Sequence, residues 1–289
     1  MKQNQSKARK RLRASTDIAV TVLAVIATVI VVAPLIAIFV YLIYMGASSL
    51  NLAFFIHGPK PIGEDGGGMA NSIVGSAMIL GIASCIGVPI GIGGGVYLAE
   101  FGRGTRIANA IRFTADVLNG VPSIVMGVAV YALVVVPTGT FSAFAGGVAL
   151  GIMMIPTITR TSEEMLLMVP NAVREAALGL GVPNWRSVLS ITIKTASPGI
   201  ITGCMLAFAR VAGETAPLIF TALGNENWSL DPHRPIDALP LRIYNYAGSA
   251  YVELNRLAWA GALVLIVLIV LAVSLVRYVT SRGILKGAS

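Results

Sequence analysis

Charge is what this sequence has least of. Only 12% of its 289 residues are Asp, Glu, Lys or Arg, against about 25% in soluble domains. A water-exposed globular domain is thereby excluded. With 56% apolar residues and a mean hydropathy of +0.81, the chain reads as an integral membrane protein. The two cysteines, Cys85 and Cys204, both fall in apolar stretches and have no metal-ligand spacing, which argues against a disulfide framework or a metal centre and for packing roles. Two histidines leave little for imidazole chemistry, and His233, between Pro232 and Arg234, reads as an exposed turn residue. A phosphate-cradling loop ending in Lys-Ser/Thr is missing, as is a dinucleotide fingerprint. The chain therefore has no ATP site of its own and is not expected to be an enzyme or to hold a cofactor. The net charge of +8 would suit nucleic acid, but the basic residues cluster at the ends of apolar segments, where orientation in a bilayer explains them.

What is present is a series of apolar runs. Crossing a bilayer takes about 20 mostly apolar residues. Six stretches qualify: Ile18–Tyr44, Asn71–Leu98, Gly120–Pro137, Phe141–Ile158, Pro198–Ala222 and Leu257–Val279. The basic start of the first resembles a signal peptide, but its apolar part is too long for one and no small-residue cleavage site follows, so it reads as a retained helix. Lys and Arg set the orientation. Six precede Asp17, three fall between Gly102 and Asn119, four between Thr159 and Ser197, and three from Arg277 onward. The alternate loops hold Lys60, Arg234, Arg242 and Arg256, and Arg210 is the twenty-first. Both termini are expected in the cytoplasm. The chain divides into residues 1–69 (basic N-terminus, first span, outer loop), a five-helix core over 70–279, and a short cytoplasmic tail over 280–289. The fold class is an all-α, six-span membrane protein.

Gly87, Gly91 and Gly95, each four residues apart, line one helix face and suit close helix packing in lipid. The outer loop Leu223–Arg256 is rich in Trp and Tyr; it either anchors at the interface or docks an extracytoplasmic partner. The inner loop over 159–197 is longer than an unstructured connection should be. Asn171 is expected to cap a helix from Val173 to Leu180, ended by Gly181 and Pro183, with a second amphipathic piece from Trp185 to Ile193. Ala176 and Ala177 leave a smooth knob fit for a groove on another protein. A membrane-surface hairpin would instead need a broad apolar face flanked by cations.

Two charges sit in the fifth apolar run. In "AFARVAGETAPLIF", Arg210 and Glu214 are four residues apart, which on a continuous helix places both on one face. A charge near the bilayer centre costs roughly 2.5–3.5 kcal/mol. The pair either neutralises itself and locks helices together or borders a polar route. Arg-before-Glu is the weaker order for a stabilising pair. Gly213, Thr215 and Pro217 mark a hinge or local widening, since Pro217 frees the Gly213 carbonyl.

The loop carries a resemblance. Glu175-Ala176-Ala177 followed by Gly181 and Ile191 is similar to the coupling loop of ABC importer permeases, in which this helix seats on the ATP-hydrolysing subunit. The familiar apolar-Pro ending is replaced by Ile193-Lys194, with proline only at Pro198. "GIGGGVYLAEF", "GVPSIVMG", "PTITRTSEEMLLMVP", "ARVAGETAPLIFTA" and "ALPLRIYNYA" together resemble permeases of the phosphate-specific ABC importer, PstA type, over most of the chain from residue 70. The resemblance implies a permease of the type I ABC importer architecture that moves inorganic phosphate inward. Arg174, Glu175, Ala176, Ala177 and Gly181 would couple to the ATPase; Arg210, Glu214 and Thr215 would line the substrate pathway. Implied partners are cytoplasmic ATP-binding subunits, a second and distinct permease chain, and an extracytoplasmic phosphate-binding protein, besides membrane lipid. Competing readings are a permease for molybdate, sulfate or phosphonate, a six-span channel or secondary transporter, and a membrane scaffold or sensor.

Overall fold

A computed structural model describes residues 2–61, 64 and 66–286. The basic N-terminus and the first span form one helix, α1 (Lys2–Ala47). After it, Asn51 caps the short α2 (Leu52–Ile56) through a 2.8 Å bond from the Phe54 amide. Helix α3 (Ala70–Val96) continues into a π turn over Tyr97–Phe101. Thr105 caps α4 (Arg106–Gly120), which breaks at Val121-Pro122. The chain resumes as α5 (Ser123–Val130), a π turn (Tyr131–Val135) and α6 (Val136–Thr138), ended by Gly139 at φ 69°. Ser142 caps α7 (Ala143–Leu167). Then come α8 (Asn171–Gly179), α9 (Asn184–Ser187), a π turn (Val188–Thr192) and α10 (Ile193–Ala212). The chain closes with α11 (Ala216–Thr221), α12 (Leu239–Ala247) and α13 (Val252–Lys286). Among the described residues the only β feature is an isolated bridge between Leu223 and Ile236.

Among the described residues five helices are long and apolar enough to cross a membrane; the bent pair α4 and Ser123–Thr138, at 108°, makes a sixth if counted as one span. The bend has a local cause. Proline disfavours the helical region for the residue before it, and Val121 and Pro122 are accordingly extended (ψ 131° and 136°).

The core lies where α3, α7 and α10 meet, around Ile79, Leu150, Met154, Ile158, Ile200 and Leu218. The glycine stripe makes it close. A Cβ on Gly87, Gly91 or Gly95 would stand 2.8 Å from Met154 Cβ, 2.7 Å from Ile158 Cβ and 2.4 Å from Ser162 Cβ. The partners advance with the glycines, so α3 and α7 run side by side in the same direction. Gly199 and Gly203 of α10 meet Met165 and Thr161 in reverse order, so α10 runs antiparallel to α7. The first span stands apart. Its apolar window has no buried residue, and it leans on α13 through Gly46 against Leu263 and an edge contact of Tyr41 with Trp259.

The fifth span departs from expectation. It runs over Asn184–Ala212 rather than Pro198–Ala222, and the piece from Trp185 to Ile193 is its first turns, not a separate helix. Pro198 does not start it. The proline removes the amide that would bond the Lys194 carbonyl, and the Ser197 hydroxyl donates to that carbonyl instead at 2.8 Å. The helix therefore continues through the proline. The tail expected over 280–289 is helical to Lys286, and its last three residues lie outside the described ones. Of the two cysteines, Cys204 is buried in the core as expected, whereas Cys85 is exposed.

Candidate functional site

The stretch that holds Arg210 and Glu214 is not a continuous helix. Arg210 lies in the last turn of α10, Gly213 closes that helix, and Thr215 opens α11 with Pro217 in its first turn. Glu214 lies in the break, where its amide donates to Val211 O at 3.1 Å. The expectation that both charges share one helix face therefore fails. The two side chains form no ion pair within 4.0 Å, and neither has a side-chain partner elsewhere in the described residues. Arg210 is exposed and Glu214 half-buried. The Thr215 hydroxyl reaches the Pro240 carbonyl at the start of α12 (3.4 Å). On the other side, a Cβ on Gly127 of α5 would be 2.7 Å from Pro217 Cα. The break is thus bordered by α5 beyond its bend and by α12. Arg210 carries only donors and Glu214 accepts, and both lie at the break without side-chain partners.

The stretch that carries Glu175-Ala176-Ala177 folds as a short helix and a tight turn. Helix α8 begins at Asn171 with Pro170 at its cap position, two residues earlier than the expected Val173, because the fixed φ of proline (−59°) leads directly into the helix. Asn171 does not cap it; its side-chain oxygen accepts from Arg174 at 3.3 Å. The helix ends as the glycine predicts. Gly181 adopts φ 76°, its amide donates to Leu178 O (2.9 Å) and that of Val182 to Ala177 O (3.1 Å), a Schellman closure. Glu175 and Ala176 face outward, whereas Ala177 is buried. Leu178, Leu180 and Trp185 add exposed apolar side chains, at 50%, 84% and 60% exposure. Arg174 turns the other way. Its guanidinium binds Glu100 at 2.7 Å and the carbonyls of Leu166 and Val169 at 2.7 and 2.6 Å. It fastens α8 to the ends of α3 and α7 rather than facing a partner.

Two further charge clusters escaped the sequence reading. On α4 and α7, Arg112 pairs with Glu163 (2.7 Å), and Arg160 forks onto both oxygens of Asp116 (2.8 and 2.7 Å) while also reaching Glu163 at 3.4 Å. The i,i+3 pair Arg160 and Glu163 was visible in the sequence; Asp116 lies 44 residues away. In the segment before α12, the buried Asp237 accepts from Arg242 at 2.6 Å and from the Ser72 hydroxyl of α3. Arg242 also reaches the exposed Glu226 at 2.9 Å. Burial pushes the Asp237 carboxyl above its ordinary value, against the pull of the Arg242 guanidinium and the Ser72 hydroxyl. His233 lies exposed, its amide bonded to Asp231 in a turn.

Comparison with known proteins places this arrangement. Residues 91–283 match the family model described as binding-protein-dependent transport system inner membrane component. The chain is 45% identical over 237 residues to a protein of Yersinia pestis named phosphate transport system permease protein PstA, covering 82% of this chain and 80% of that one. It is also 45% identical to the protein of that name from Haemophilus influenzae, covering 81% and 82%, and 36% identical to the probable one from Methanocaldococcus jannaschii, covering 73% and 75%. The fold is similar to a chain of the MetNI methionine ABC transporter in an inward-facing conformation, with a TM-score of 0.57 and 23% identity over 76% of this chain and 97% of that chain. With its matched region running from Gly91 of α3 through α7, α8 and the α10–α11 break, the chain belongs to the family of binding-protein-dependent transport system inner membrane components.

Proposed function

We propose that this chain is a permease subunit of an ATP-driven ABC importer and carries inorganic phosphate into the cytoplasm. The observation that carries the reading is the 45% identity to phosphate transport system permeases over four-fifths of the chain. The unpaired Arg210 and Glu214 at the α10–α11 break supply a matching chemistry. A guanidinium offers a planar fork to two oxygens of a tetrahedral anion. A carboxylate accepts a hydrogen bond from a protonated phosphate oxygen, which sulfate lacks near neutral pH. Thr215 adds a hydroxyl at the same break, and Gly213 and Pro217 form the joint on either side of it.

Lys and Arg placement supports cytoplasmic termini and puts α8 at the cytoplasmic face. There Glu175, Ala176 and the apolar patch of Leu178, Leu180 and Trp185 form the seat for a separate ATP-binding subunit, ATP being that subunit's ligand. The exposed Trp228, Leu230 and Tyr244 at the opposite face suit an extracytoplasmic phosphate-binding protein. The first span, exposed over its apolar window, leaves a flank for lipid and for a second, related permease chain.

Phosphate uptake into vesicles holding the reconstituted complex tests the assignment. Arg210→Ala is expected to lower uptake by roughly 10–100-fold, as loss of a charged hydrogen bond of about 1.5–3 kcal/mol predicts, with the complex still assembled. Glu214→Gln is expected to let sulfate compete better. Normal uptake by an assembled Arg210→Ala complex refutes the pathway role.

A further inference from the structure

The coupling helix and the segment before α12 are fastened to opposite ends of the same two helices. At the cytoplasmic end, Arg174 binds Glu100, in the π turn that prolongs α3, and the Leu166 and Val169 carbonyls that close α7. Both members of that ion pair are largely buried, at 15% and 7% side-chain exposure. At the other end, Ser72 in the first turn of α3 donates to Asp237, and Ser76 accepts from the Leu239 amide at 2.7 Å. The opening amides of α7, Ala143 and Phe144, donate to the carbonyls of Arg234 (3.2 Å) and Pro232 (2.9 Å). Asp237 in turn is held by Arg242, itself buried. Gly75 leaves no slack here: a Cβ on it would overlap the Asp237 carbonyl.

Between the two ends, α3 and α7 meet closely through glycines: Gly87, Gly91 and Gly95 of α3 face Met154, Ile158 and Ser162, and Gly147 and Gly151 of α7 face Ile82 and Ile86. The 32 residues from Ala70 to Phe101 extend about 48 Å at 1.5 Å per residue, beyond the ~30 Å of a hydrocarbon core. One tightly packed pair thus reaches from the coupling helix to the opposite face. Breaks in backbone continuity lie elsewhere, at Val121-Pro122 and at Gly213–Thr215.

We propose that α3 and α7 act as a single strut delivering movement of the coupling helix to the extracytoplasmic docking segment. The clamps Glu100–Arg174 and Asp237–Arg242 at its ends are positioning residues for coupling and touch no substrate. The inference rests on the ABC-permease reading above. It places the working joints of the transport cycle at the two backbone breaks, one of which holds Arg210 and Glu214.

The test uses the reconstituted complex with Cys85 and Cys204 replaced by Ala and pairs of spin labels on introduced cysteines. One pair, Ala172→Cys with Leu230→Cys, spans the strut; the other, Ala172→Cys with Leu133→Cys, crosses the α4–α5 bend. Distances are measured without nucleotide and with ATP trapped. The first is expected to stay constant while the second changes. Glu100→Gln is expected to lower phosphate moved per ATP hydrolysed by roughly tenfold, as the loss of a hydrogen bond between charged groups predicts. The conservative variant Glu100→Asp, which keeps a carboxylate for Arg174 and leaves its bonds to the Leu166 and Val169 carbonyls in place, is expected to retain most of the ratio that Glu100→Gln loses. A strut distance that changes as much as the cross-bend distance overturns the proposal, as does an unchanged phosphate-to-ATP ratio in Glu100→Gln. If the unmutated complex hydrolyses ATP but takes up no phosphate, the substrate assignment fails, while the distance measurements still decide the strut.

Discussion

Replacing Arg242 by methionine keeps the length and apolar stem of the side chain and removes its charge. Asp237 is then left 1% exposed with the Ser72 hydroxyl as its remaining side-chain donor. Breaking a buried ion pair by removing one partner costs about 3–5 kcal/mol. Asp237 has an escape, because it can take up a proton. Protonating a carboxyl of ordinary pKa near 3.9 costs about 1.4 kcal/mol per pH unit above that value, hence about 4 kcal/mol at pH 7 and about 1.5 kcal/mol at pH 5. The smaller of the two costs governs, so the variant should lose close to 4 kcal/mol at neutral pH and less than half of that at pH 5. The direction follows from the carboxyl itself. Burial already raises it in the native protein against the Arg242 pull, and without Arg242 it rises further. A carboxyl raised in the folded state stabilises the fold below its unfolded pKa and loses that contribution as pH rises through the folded one. The deficit must therefore grow from pH 5 to pH 7. The contact with Glu226, which is 74% exposed, adds at most about 1 kcal/mol. Thermal unfolding of the purified protein at the two pH values, with Glu226→Gln as control, measures this. A pH-independent deficit, or none at pH 7, would refute the argument. Adding Asp237→Asn to the variant should recover much of the loss at pH 7, and equal stability of the single and double variants would count against it as well.

Two further substitutions probe the packing and the coupling turn. Gly95→Val forces a side chain into the 2.4 Å space before Ser162 and should destabilise by about 1–3 kcal/mol, whereas Gly93→Val, with nothing within 4 Å of its Cβ, should be close to neutral in the same unfolding assay. Gly181→Ala places a Cβ at φ 76° and should cost about 1–2 kcal/mol of local strain; because the site is exposed, the expected readout is weaker co-purification of the ATPase with little change in membrane level.

What the sequence disclosed follows from how local each determinant is. The stripe of Gly87, Gly91 and Gly95 has a helical period within nine residues, so its packing role was legible, and α7 meets it at each position. Gly181 signalled a left-handed closure because few other residues tolerate one, and the structure has it there. The start of the fifth span was misjudged because hydropathy treated Pro198 as a boundary. The Ser197 hydroxyl that bonds the stranded carbonyl makes the proline tolerable, and that compensation carries no hydropathy signal. The resemblance grouped Arg174 with the residues that couple to the ATPase, and nothing in the sequence pointed to its partner Glu100, 74 residues upstream. A helical period shows which face makes contact but not which residue of another element meets it.

The same limit explains Arg210 and Glu214. The spacing rule that puts residues four apart on one face assumes an unbroken helix, and the assumption fails between them. Gly213 closes α10, and Pro217, which has no amide hydrogen, sits in the first turn of α11, where none is needed. One glycine and one proline four residues apart therefore exchange a shared helical face for a gap with a helix end on each side. That exchange strengthens the case for a pathway. A neutralised pair on one face would have served helix packing alone. An exposed guanidinium and a half-buried carboxylate without side-chain partners, at a break in an apolar span, each need a polar neighbour that the chain does not supply. In the proposed transport role, water and a protonated oxyanion meet both needs, and hydrocarbon meets neither.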